Sequence, residues 1–109
     1  GRGTRVGGRR RGVTPMAPRR RLVGRSIGRV QGVGYRAFCV DEATRLQIVG
    51  YARNLGDGRT VEVVAESDEP TLRRFIERLR EGPTLAIVDD LEYRWEEPEG
   101  GFLGFESRF

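Results

Sequence analysis

Gln31-Gly32-Val33-Gly34-Tyr35-Arg36 lies between a short apolar stretch and an amphipathic run, and it combines two glycines with an arginine. A phosphate group needs several donors converging from one side. A turn joining a strand to a helix presents consecutive backbone N–H groups and the positive end of the helix dipole. Gly32 and Gly34 can adopt positive φ and leave no Cβ between an anion and the backbone. Arg36 adds a fixed charge and a planar fork that matches two phosphate oxygens. Eighteen positions on, Asn54 closes the segment Gly50-Tyr51-Ala52-Arg53-Asn54 with a carboxamide. Together these residues point to an enzyme acting on a phosphorylated small molecule. Each motif also has a plainer reading: glycines permitting a tight turn, a solvated first-turn arginine, and a turn asparagine.

Composition removes other chemistries. All twenty positive charges are arginine, so neither a Schiff-base lysine nor a Walker-type lysine is available. The chain has no histidine and one cysteine, which excludes Ser-His and Cys-His nucleophile pairs and the usual zinc ligand set. Cys39, between Phe38 and Val40, reads as a small buried hydrophobe on a helix. No apolar run reaches the roughly twenty residues that span a bilayer, and the expected compartment is the cytoplasm.

Charge is unevenly distributed. Residues 1–21 hold eight arginines and no acid, which leaves twelve arginines against sixteen acids in the remainder, a net −4. The glycine- and arginine-rich stretch over residues 1–20 reads as a disordered basic tail ahead of a domain over 21–109. Met16 opens a second candidate start, so residues 1–15 read as an extension dispensable for the chemistry.

The elements that would position the motifs follow from periodicity. Leu22, Val23, Ile27 and Val30 give a poor first strand over 21–30, interrupted by Gly24, Arg25 and Ser26. Tyr35, Cys39, Ala43 and Leu46 recur at helical spacing over about 36–46. Strands are expected over 48–54 and 60–66, joined by the hairpin turn Asn54-Leu55-Gly56-Asp57-Gly58. Asp68 caps a second helix with Pro70 in its first turn, and Leu72, Phe75, Ile76 and Leu79 line its buried face before Gly82-Pro83. Strands over 87–95 and 104–109 complete the chain. The order β-α-β-β-α-β with one added strand is an α+β, ferredoxin-like sandwich, an antiparallel-dominated sheet with two helices on one face. That fold alone names no function.

Gly32-Val33-Gly34-Tyr35-Arg36-Ala37 also fits the dinucleotide pattern G-x-G-x-x-A. The following strand enters a hairpin and carries no ribose-binding acid, which argues against a doubly wound sheet. By contrast, Gly28-Arg29-Val30-Gln31-Gly32-Val33-Gly34-Tyr35-Arg36 and Gly50-Tyr51-Ala52-Arg53-Asn54 resemble, at the family's spacing, the two signature motifs of the acylphosphatases. The resemblance covers roughly residues 20–109. It implies hydrolysis of a carboxylic-phosphoric anhydride to carboxylate and phosphate, with Arg36 holding the phosphoryl group and Asn54 orienting the attacking water. Gln31 to Arg36 would supply the phosphate-binding amides. The implied partners are a small acyl phosphate and water, with no cofactor, metal, membrane or specific nucleic acid, and the implied state is a monomer.

The chain departs from the family pattern at Arg59-Thr60, where the hairpin turn is expected to be one residue longer, near Ser67, where a glycine usually follows the third strand, and at Ser107, where an apolar residue is common. Asp89, Asp90 and Glu92 form an acidic cluster that reads as a solvated strand face rather than a cation site. The rival readings are a nonenzymatic ferredoxin-like module binding nucleic acid through the arginine arm and a module that senses acyl phosphates or carbamoyl phosphate. The strands lack a stacking aromatic cluster and the folded part is acidic, which argues against RNA.

Overall fold

The computed structural model describes residues 18–109. Its elements are β1 (Arg19–Arg29), α1 (Tyr35–Arg45), β2 (Val49–Asn54), β3 (Thr60–Asp68), α2 (Glu69–Glu81), β4 (Ile87–Glu96) and β5 (Phe105–Arg108). The five strands form one sheet in the order β4-β1-β3-β2-β5. All pairs are antiparallel except β2 with β5, which runs parallel. The ferredoxin-like expectation holds, and the short terminal strand extends the sheet beyond β2. The expected basic tail lies outside the described residues up to position 17. Two of its arginines, Arg19 and Arg20, do not: β1 begins at Arg19, two residues ahead of the expected domain start.

Both helices pack on one face, over a core that includes Leu22, Tyr35, Cys39, Val61, Val63, Leu72, Phe75 and Leu79. α2 forms as its sequence dictates. The Asp68 carboxylate accepts from the Thr71 N–H at 2.9 Å, and Pro70 occupies the first turn. Cys39 is fully buried as expected, and burial pushes its thiol pKa up, so it is an inert core residue.

β1 is a complete eleven-residue strand, not the poor one that propensity suggests. Its small residues make room on the helix face. A Cβ at Gly24 would touch the Tyr93 side chain at 3.6 Å, and the buried Ser26 hydroxyl meets the Tyr35 hydroxyl at 2.7 Å. Register shifts between Ile27 and Gly28, so β1 bulges just before the glycine-rich turn. Gly50 marks a close approach of two backbones. Its φ is 145°, and a Cβ there would sit 1.9 Å from the Val64 carbonyl oxygen.

On the opposite face, segment 97–104 folds across the sheet. Phe102 lies against Tyr51, with ring centroids 6.1 Å apart. The almost fully buried Glu66 carboxylate accepts from the Glu99 N–H at 2.8 Å, the Gly100 N–H at 3.1 Å and the Arg21 guanidinium at 3.0 Å. Burial pushes the Glu66 pKa up, but those amides and Arg21 outweigh it and hold the carboxyl below the usual range. A depressed carboxylate pKa contributes stability that is present above the unfolded value of about 4.3 and lost as pH falls through the folded value. Urea unfolding from pH 7 down to pH 2.5 therefore has an expected outcome. Wild type exceeds Glu66→Gln in stability at neutral pH, and the gap closes below about pH 4; a gap that stays constant across the series contradicts this role.

Candidate active site

α1 and α2 begin in opposite ways. Asp68 caps α2 and Glu69 adds an acid to its first turn. α1 begins at Gly34, in left-handed geometry with φ 82°, with no capping side chain and no acid in its first turn. The first helical bond runs from the Phe38 N–H to the Gly34 carbonyl at 3.0 Å, so the amides of Tyr35, Arg36 and Ala37 have no intrahelical acceptor. Gly32 is also left-handed at φ 74°, and a Cβ at either glycine would meet nothing within 4 Å. The open space above both glycines and the uncapped turn form a cradle for an anion.

A cleft of about 240 Å³ opens on this cradle, lined by Val30, Gly32, Gly34, Tyr35, Arg36, Ala37, Asn54 and Ser107. Arg36 and Asn54, eighteen residues apart in sequence, thus share one cavity. Broader grooves exist, including one of about 330 Å³ between α2 and Tyr93 and one of about 430 Å³ beside residues 101–106. Neither combines an uncapped helix start, an arginine and a carboxamide.

The Arg36 guanidinium is aimed by the terminal strand. It donates to the Arg108 carbonyl oxygen at 2.7 Å, and its Cζ lies 5.0 Å from the Phe109 ring centroid. Those two contacts restrict a long side chain while leaving other N–H donors for a ligand. Asn54 ends β2, and its Oδ1 is buried with no protein hydrogen-bond partner. A buried acceptor left unpaired costs about 1–3 kcal/mol, a cost that a bound water or ligand removes.

The other expected cradle residues divide by role. Gly32, Gly34, Tyr35 and Arg36 line the cleft; Gln31 and Val33 do not. The Gln31 amide instead donates to the carbonyls of Leu55 at 2.8 Å and Thr60 at 2.9 Å, tying the cradle to the hairpin beside Asn54. Val33 packs against the core. The Tyr35 side chain is buried, donates to the Leu79 carbonyl at 2.6 Å and has its pKa raised mainly by burial. It anchors the start of α1, and only its backbone faces the cleft as a donor.

The hairpin that carries Asn54 is held by Asp57. Its carboxylate accepts from the Arg59 and Thr60 amides, both at 2.9 Å, and from the Thr60 hydroxyl at 2.5 Å, which lowers its pKa. The Leu55 N–H closes the turn on the Thr60 carbonyl at 2.9 Å. Asp90 and Glu92 are exposed on β4, and Asp89 pairs with Arg59 at 3.4 Å. Sequence reasoning did not place Ser107, Arg108 and Phe109 at the cleft. Their signal was the serine at 107, but the parallel pairing of β5 with β2 that brings them there is long-range.

The family model described as Acylphosphatase matches residues 24–107. An acylphosphatase of Thermus thermophilus is 53% identical over 85 residues, covering 78% of this chain and 94% of that protein. Among solved structures, the crystal structure of acylphosphatase from Bacillus subtilis superposes with a TM-score of 0.78 at 32% identity, covering 83% of this chain and 99% of that one. An acylphosphatase from Coxiella burnetii also gives 0.78, at 28% identity, covering 84% and 94%. With the sequence match spanning the cradle, Arg36 and Asn54, and with the fold shared across nearly the whole of those structures, the chain belongs to the acylphosphatase family.

Proposed function

We propose that this acylphosphatase binds the phosphoryl group of a small acyl phosphate on the backbone amides of Gly32, Gly34, Tyr35 and Arg36 and on the Arg36 guanidinium, while Asn54 holds the attacking water in line. The carrying observation is the single cleft shared by Arg36, the uncapped start of α1 and the orphaned Asn54 Oδ1. The reaction cleaves the bond between phosphorus and the acyl oxygen. Water oxygen bonds to phosphorus, the electron pair departs on the carboxylate, and a water proton passes to a phosphate oxygen.

An acyl phosphate carries a good leaving group, so neither a strong general base nor a covalent nucleophile is required, and positioning with charge stabilisation suffices. A loose transition state spreads charge over the phosphoryl oxygens, where fixed N–H donors in a water-poor site act most strongly. The donors here are in place before substrate arrives. Arg36 is held by Arg108 and Phe109, and the cradle is held by Gln31 on the hairpin.

The enzyme works as a metal-independent monomer in the cytoplasm, and the arginine-rich tail over residues 1–20 has no part in turnover. The lone buried thiol of Cys39 suits a reducing compartment. No helix among the described residues is long and apolar enough to cross a membrane. The test is phosphate release from acetyl phosphate, measured with and without a strong chelator. Equal rates in both arms are expected; loss of turnover on chelation that added Mg²⁺ restores contradicts the metal-free scheme, and absence of turnover in either arm contradicts the activity.

A further inference from the structure

Three polar side chains line the cleft with their polar tips uncommitted to the core: Arg36, Asn54 and Ser107. The first two grip the phosphoryl group and the water in the proposed function, and a role for the third rests on that same function. We propose that Ser107 is the second anchor of the attacking water. Its Oγ accepts one water O–H while Asn54 Oδ1 accepts the other.

The sheet places these two groups on one side of the cleft. β5 runs parallel to β2 with Ser107 beside Ala52, and Asn54 is two residues beyond Ala52, so both side chains project from the helix-facing surface of adjacent strands. They are diagonal neighbours, a separation that one water molecule bridges with two ordinary hydrogen bonds. The anion grip comes from the other wall, the turn before α1 and Arg36. Groups on the sheet wall therefore face the nucleophile, not the phosphoryl oxygens.

The neighbouring residues are already occupied. Arg108 gives its carbonyl to Arg36, and the Phe109 ring centroid lies 5.0 Å from the same guanidinium's Cζ. Ser107 makes no side-chain hydrogen bond within the protein among the described residues, and a hydroxyl has two lone pairs to offer. A water with both O–H bonds held by the sheet wall turns its lone pairs toward the cradle. Asn54 alone fixes one O–H and leaves rotation about it. When the water oxygen bonds to phosphorus and the acyl carboxylate leaves with its electron pair, a water proton passes from the anchored side to a phosphate oxygen.

Ser107 is exposed on an edge strand and outside the core, so its substitution leaves folding intact. Ser107→Ala and Ser107→Thr are compared with wild type on acetyl phosphate, with inorganic phosphate as competitive inhibitor. Ser107→Ala is expected to lower kcat about 3- to 10-fold, as loss of one neutral hydrogen bond does. KM and the phosphate inhibition constant stay within about twofold, and Ser107→Thr, which keeps the hydroxyl, recovers most of kcat. Unchanged kcat in Ser107→Ala beside a large loss in Asn54→Ala overturns the inference and leaves the proposed function standing. Weakened phosphate inhibition overturns it too, because Ser107 would then hold the phosphoryl group. Wild type that binds phosphate but hydrolyses no acyl phosphate removes both.

Discussion

Replacing Asn54 with alanine lowers kcat on an acyl phosphate by about 10²–10³-fold, the usual effect of removing one preorganised group from a transition state, while inorganic phosphate inhibits the variant as strongly as wild type. The split follows from geometry. In the proposed arrangement the anion is gripped by amides at the start of α1 and by Arg36, whereas Asn54 stands on a different element, the end of β2. Its loss removes the water's orientation and none of the anion's donors. Stability gives a second, independent sign. The Asn54 Oδ1 is buried and accepts from no protein donor, so its removal strips no hydrogen bond from the fold. Asn54→Ala is expected to melt no lower than wild type, and slightly higher if the cost of the orphan outweighs lost packing. Steady-state turnover with thermal melting checks both. A variant that unfolds early places Asn54 in the fold's support and not in the chemistry.

Replacing Arg36 with alanine changes binding and rate together. A charge-assisted hydrogen bond is worth about 1.5–3 kcal/mol, so the phosphate inhibition constant rises roughly 10- to 100-fold. kcat/KM falls further, on the order of 10³-fold, because charge on the phosphoryl oxygens redistributes as the bond to the acyl oxygen breaks. Lysine does not rescue the loss. The native guanidinium donates one N–H to the Arg108 carbonyl while its Cζ lies over the Phe109 ring, and an ammonium group does not reproduce the planar fork that serves both contacts and a ligand. Comparable losses in Arg36→Ala and Arg36→Lys are therefore expected. Full activity in Arg36→Lys would show that a point charge suffices and that the contacts with β5 do not aim the group.

Local sequence is informative where a single element decides the outcome. α2 carries its cap, its first-turn proline and its apolar stripe in thirteen residues, and it forms with all of them in place. The cradle and the carboxamide are legible because glycine, arginine and asparagine have few reasons to occur in that spacing across a strand, a helix and a hairpin. Propensity misjudges β1 because it counts Gly24 and Ser26 as defects. In the sheet they admit Tyr93 and satisfy the Tyr35 hydroxyl, contacts that no local window reports. Glu66 is hidden for the same reason: a carboxylate on a strand reads as solvated until the 97–104 segment closes over it with two amides. The part of the site on β5 depends on a parallel pairing between residues more than fifty apart, and no periodicity reveals such a pairing. Asp57 stands in the expected turn, yet its bracing of Thr60, and through Gln31 the alignment of cradle with hairpin, emerges only from the folded chain.

The most direct test follows the anion itself. In an isotope-labelled sample titrated with inorganic phosphate, the backbone amides of residues 32–36, the Arg36 Nε–H and the Asn54 side-chain amide should shift together with one dissociation constant. Shifts confined to the arginines beside the α2 groove, Arg73, Arg74 and Arg80, with the start of α1 unmoved, would contradict the account.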